Sequence, residues 1–121
     1  PGIRPQAVDP GDTSTYKDFT VIVDEDAYGL DRDALATALK AEGVDTRPYF
    51  HPPVHRQRAY ADLGTPALPV TDWVAARVIS LPLWRDMPPE AVDRVVELLA
   101  RIHERADAVR AAAGATAGVR P

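Results

Sequence analysis

The sequence has 121 residues, of which 45% are hydrophobic and 26% charged, enough for one domain with an ordinary packed core. A net charge of -4 with no basic stripe argues against nucleic acid and anionic membrane as partners. The absence of cysteine excludes disulfides, zinc–thiolate sites and cysteine nucleophiles, and no stretch reads as a signal peptide or a membrane-spanning helix.

Residues 1–13 carry three prolines, two glycines and two aspartates and read as an extended lead-in. The opening on Pro1 rather than Met suggests a fragment or a processed chain. Tyr16 to Val23 is aromatic and β-branched, which predicts a strand whose end, Thr20 to Val23, is buried on both faces. Asp24, Glu25 and Asp26 read as a solvated turn rather than an acid–base pair, and Ala27 to Gly29 completes the loop.

A helix is expected over Asp31–Glu42, with Asp31 as N-cap and Leu30 and Leu35 flanking it as a hydrophobic staple. Gly43 stops that helix. Val44–Arg47 reads as a second, short strand ended by Pro48. Pro48 to Pro69 is a long irregular segment with five prolines, and it holds Tyr49, His51, His55, Arg56, Arg58 and Tyr60. Thr71 is expected to cap a short helix running to Arg77, with Trp73 and Val74 as its apolar contacts. Trp73 and Trp84 are expected to pack.

Val78–Leu81 reads as a third strand, and Pro88-Pro89 opens a last helix to Arg105. Val92, Val95, Val96, Leu99 and Ile102 form its apolar stripe, and His103 takes a structural place on its polar edge. The tail 111–121 is Ala/Gly-rich and is expected to be flexible. Strands with helices segregated to one side predict an α+β fold, a small two-layer sandwich.

The chemistry-bearing groups concentrate between Thr46 and Tyr60. Arginine suits phosphate or carboxylate, and histidine bonds a hydroxyl near neutral pH. A solvated, proline-rich surface loop explains the same composition. His51 and His55 are four apart, but Pro52-Pro53 between them forbids the helix that would bring both to one metal, so no metal site is expected. Ser14 and Ser80 have no histidine nearby in sequence, and no glycine-rich phosphate loop is present. Lys17 and Lys40 read as solvated, not as Schiff-base lysines.

Four stretches, in order, resemble the C-terminal part of the DegT/DnrJ/StrS family of PLP-dependent nucleotide-sugar aminotransferases. They are Ser14 to Val21, Arg32 to Arg47, Tyr49 to Tyr60, and Leu68-Pro69 followed by Ala75 to Leu83. The helix from Pro88 fits the family's last helix, so the resemblance covers roughly Thr13 to Arg105.

The resemblance implies the small C-terminal domain of a fold-type-I aminotransferase over 14–110, with 1–13 leading in from a missing large N-terminal domain that carries PLP and its lysine. The complete enzyme is expected to be a cytoplasmic homodimer that transfers an amino group from glutamate or glutamine to a ketosugar or cyclitol, with PLP as electron sink. His55 matches the family's substrate-facing histidine, with Arg47, Tyr49 and Tyr60 as further substrate-binding candidates. His51 has no assigned role, and no catalytic or cofactor-binding residue is assigned to this chain. The chain alone is expected to bind no PLP, to lack activity and to keep an apolar surface through which it self-associates. A standalone binding or regulatory module, the small domain of a PLP-dependent sugar dehydratase, and a structural subunit of a split enzyme are the alternatives.

Overall fold

The two-residue alternation of Phe19–Val23 (β2) sends Val21 and Val23 to one face, where they are 2% and 1% exposed, and leaves Thr20 and Ile22 half-buried on the other. The computed structural model describes residues 1–117 and makes β2 the centre of a three-stranded antiparallel sheet, with Ile3–Pro5 (β1) on one side and Val78–Leu81 (β3) on the other. In this register Val21 stands opposite Ile79, and Thr20 opposite Ser80, whose hydroxyls meet at 2.7 Å.

The sheet differs from the expected one at both edges. Val44–Arg47 is not a strand: only Arg47 pairs, through two hydrogen bonds with Ser80. The reason lies in the helix before it. After Arg32–Ala41, preceded by a one-turn helix at Glu25–Tyr28 (α1, with Arg32–Ala41 as α2), the Gly43 N–H bonds the Lys40 carbonyl at 3.0 Å and the Val44 N–H bonds Leu39 at 2.9 Å. This cap needs Gly43 at φ 81°, and it uses the donor that Val44 would give to a sheet. Pro48 removes the donor just beyond. The third strand comes instead from the lead-in, where edge position tolerates Pro5.

The cap of α2 is as expected: Asp31 accepts from the Ala34 N–H at 2.7 Å, and Leu30 and Leu35 are both buried in one cluster. Arg32, 3% exposed, donates to the Val78 carbonyl at 3.3 Å and joins α2 to β3. The segment after Pro48 makes two 3₁₀ turns, Val54–Arg56 and Arg58–Leu63. Pro69–Ala75 (α3) is capped at Leu68 with Pro69 in the first turn, so Thr71 is inside the helix rather than its cap.

Pro89–Glu104 (α4) starts after Pro88 and is followed by Ala106–Ala117 (α5). The α4 seam is rotated from the expected stripe. Leu98 and Ile102 are buried, Val95 and Leu99 pack beside them, and Val92 and Val96 are left 46% and 58% exposed. The seam continues into α5 through Ala106 and Val109, so 111–117 of the expected tail are helical; 118–121 lie outside the described residues. Among the described residues no helix is long and apolar enough to cross a membrane.

The core lies between one sheet face (Val21, Val23, Ile79) and helices α2, α4 and α5, a small α+β domain of two layers. At its end sits Tyr28, 2% exposed, in the one-turn helix α1 where the sequence predicts a loop. Its hydroxyl donates to the Leu99 carbonyl at 2.7 Å, and its own carbonyl accepts from His103 Nδ1 at 2.8 Å, so that nitrogen carries the proton. Gly2 lies so close that a Cβ there would sit 2.5 Å from the Tyr28 backbone nitrogen.

Burial raises the Tyr28 pKa from 10.0 to about 12. The folded state therefore holds this proton more tightly than the unfolded chain. Its stabilising contribution is intact below pH 10 and is lost as pH rises towards 12. Tyr28→Phe removes the hydroxyl's bond to the Leu99 carbonyl, which keeps its backbone partner within α4, and is expected to cost about 0.5–1.5 kcal/mol in urea denaturation. The same variant should abolish a phenolate absorbance transition centred near pH 12 in the wild-type chain.

Candidate functional site

The irregular segment after Pro48 folds back over α3, and a cavity of about 660 Å³ opens between them. Val74 and Ala75 of α3 and Val78 of β3 form its floor, while Tyr49, His55 and Tyr60 reach it from the loop. The lining is otherwise largely apolar, including Phe50, Val54 and Leu63, which are 62%, 53% and 80% exposed. Tyr49 and Phe50 stack with ring centres 5.1 Å apart.

Three of the four residues expected to bind substrate thus meet at one cavity. Arg47 does not line it, because its backbone is held to Ser80 at the sheet edge and its side chain is exposed. His51 is exposed and does not line it. Trp73 and Trp84 are 43% and 51% exposed rather than packed in the core. Trp73 carries the Arg77 guanidinium 4.7 Å above its ring, and so stacks on a cation at the surface.

The loop is fastened by a group that sequence reasoning passed over. Arg56, in the first 3₁₀ turn, grips the Asp72 carboxylate of α3 with Nε at 2.5 Å and Nη2 at 2.6 Å, a two-pronged arrangement. His55 Nε2 lies 3.1 Å from the same Asp72 Oδ1, with its side chain 10% exposed. That contact has ion-pair distance but not the alignment of a hydrogen bond. The bond from Arg56 holds the Asp72 carboxyl below its usual range, with its charge and the neighbouring His55 acting in the same direction against desolvation. Nothing local in the sequence marks Asp72: an acid in the first turn of a short helix is ordinary, and Arg56 is sixteen residues away.

Residues 1–100 match the model of the DegT/DnrJ/EryC1/StrS aminotransferase family. Among solved structures, DesI, determined in the presence of its TDP-sugar product, is 34% identical, with a TM-score of 0.81 over 92% of this chain and 28% of that one. DesV from S. venezuelae, determined with a ketimine intermediate, is 31% identical, with a TM-score of 0.75 over 87% of this chain and 27% of that one. The aminotransferase TlmJ from Streptoalloteichus hindustanus is 29% identical, with a TM-score of 0.66 over 81% of this chain and 25% of that one. The chain therefore spans about a quarter of these structures' length.

Removing the grip should free the loop and spare the core. In Arg56→Ala, hydrogen exchange of the amides in 54–63 is expected to speed up markedly while those of β2 keep their protection. Unchanged exchange across 54–63 would show that Arg56 does not hold the loop.

Proposed function

The chain belongs to the DegT/DnrJ/EryC1/StrS aminotransferase family, and from that premise we propose that it forms the small domain closing one side of a sugar aminotransferase's active site. The observation that carries this reading is the convergence of His55, Tyr49 and Tyr60 on one open cavity with exposed apolar side chains in its lining. An imidazole and two phenols suit hydroxyl groups, and apolar walls suit the C–H faces of a sugar ring. Arg47, two residues before Tyr49, is proposed to join them from the sheet edge when the rest of the enzyme is in place. The substrate we propose is a ketosugar, nucleotide-linked as the DesI product suggests, or a cyclitol, with glutamate or glutamine as amino donor.

The described residues do not fit a site for the family's cofactor. Lys17 and Lys40 are the only lysines, both are exposed, and neither lines the cavity. We therefore assign PLP to a larger N-terminal domain; the small domain comprises 14–110 together with β1 from the lead-in 1–13 and the helical start of the tail. In this reading the chain by itself is inactive and the complete enzyme is a cytoplasmic homodimer.

In the complete enzyme, His55→Ala is expected to lower turnover roughly ten- to a hundred-fold, the loss of one hydrogen bond to a charged or developing-charge group, while cofactor content and melting temperature hold. Near-normal turnover with a lowered melting temperature would make His55 a structural residue. Mixed with PLP and borohydride, the chain alone should show no stoichiometric labelling of a single lysine, a result readable by mass spectrometry.

A further inference from the structure

We propose that Asp72 is a positioning residue for His55: it fixes the imidazole proton on Nε2 and leaves Nδ1 as a hydrogen-bond acceptor for a sugar hydroxyl in the cavity. The second half rests on the reading that His55 faces substrate. The first half rests on the geometry at Asp72 and on the charge that Arg56 keeps there.

His55 Nε2 is shut off from solvent and has no aligned hydrogen-bond partner among the described residues. Its polar neighbour is Asp72 Oδ1 at 3.1 Å. Nε2 is not aimed squarely at that oxygen, but at this range a bare ring nitrogen is repelled by an ionised carboxylate whereas an N–H is attracted to it. The carboxylate is not free to turn away, because Arg56 holds both of its oxygens. It is also ionised, since Arg56 keeps its pKa low. In neutral imidazole a proton on Nε2 makes Nδ1 an acceptor, so the ring offers one kind of group to the cavity it lines. Arg56, Asp72 and His55 then act as a relay of orientation: the guanidinium sets the carboxylate, and the carboxylate sets the ring.

The test uses the chain labelled with ¹⁵N-histidine, with His55 identified among the three histidines by the signal lost in His55→Gln. The expected spectrum shows Nε2 protonated, Nδ1 unprotonated, and an Nε2–H proton that exchanges slowly enough with water to be observed. Asp72→Leu should abolish that proton signal, while Arg56→Leu should keep the proton on Nε2. A proton on Nδ1 in the wild-type chain, or an Nε2–H signal that persists in Asp72→Leu, overturns the proposal without the need for any variant to be active. In the complete enzyme, Asp72→Leu is expected to reduce kcat/KM about ten-fold with cofactor content unchanged. Normal kcat/KM together with loss of the Nε2–H signal would leave Asp72's hold on His55 standing and remove His55 from the substrate site.

Discussion

Four segments of the chain are tied at Tyr28. Its backbone leaves room only for glycine at position 2, which sets where β1 begins; the Asp24 N–H bonds the Gly2 carbonyl at 2.8 Å and closes the same corner. Its hydroxyl reaches α4, and its carbonyl is taken by His103 near the end of that helix. One residue further, the Gly29 carbonyl accepts from Arg110 of α5. A phenol is suited to this position because its ring fills the core while its hydroxyl, which the interior would otherwise leave unpaired, donates to a helix carbonyl. With this corner fixed, the direction of α4 across the sheet follows, and so does the seam from Val95 to Val109.

The opposite side of the sheet is organised differently. There Val78, Ala75 and Val74 face an open cavity, and charged groups do the fastening that apolar contact does in the core. An exposed ion pair alone contributes little to stability. The two-pronged contact of Arg56 with Asp72 does something else: it specifies direction, and through that direction it decides how His55 and its neighbours stand. The domain thus pairs a core that resists rearrangement with a surface segment whose geometry depends on one carboxylate.

Local chemistry explains which parts of this were legible in the sequence. Asp31, Leu30, Leu35 and Gly43 act within a few residues of themselves, so the bounds of α2 could be read directly. β2 and β3 were legible from their β-branched runs. The pairing of Ile3–Pro5 was hidden because it depends on a contact between Gly2 and Tyr28, far apart in sequence and unremarkable in pattern. Val44 was misread as a strand residue because its donor is consumed by the preceding cap, a competition that composition does not reveal. The α4 stripe was misplaced by part of a turn, since Val96 and Leu98 are equally apolar and only packing chooses between them. At the cavity, His55, Tyr49 and Tyr60 were found from residue type and family resemblance. Arg47 was expected there on the same grounds but stands at the sheet edge outside the cavity, while Asp72 was passed over because its partner Arg56 is sixteen residues away.

The way the segment 48–68 is attached has one more consequence. It leaves the sheet through the single Arg47–Ser80 bridge, rejoins the fold at α3, and places no side chain in the core cluster. Lengthening such a segment costs only about 0.6 kcal/mol per doubling in closure entropy. It is therefore an interchangeable cassette: a loop of another length, carrying other hydroxyl-reading groups and its own partner for Asp72, can be grafted between Arg47 and Pro69 while the scaffold stays as it is.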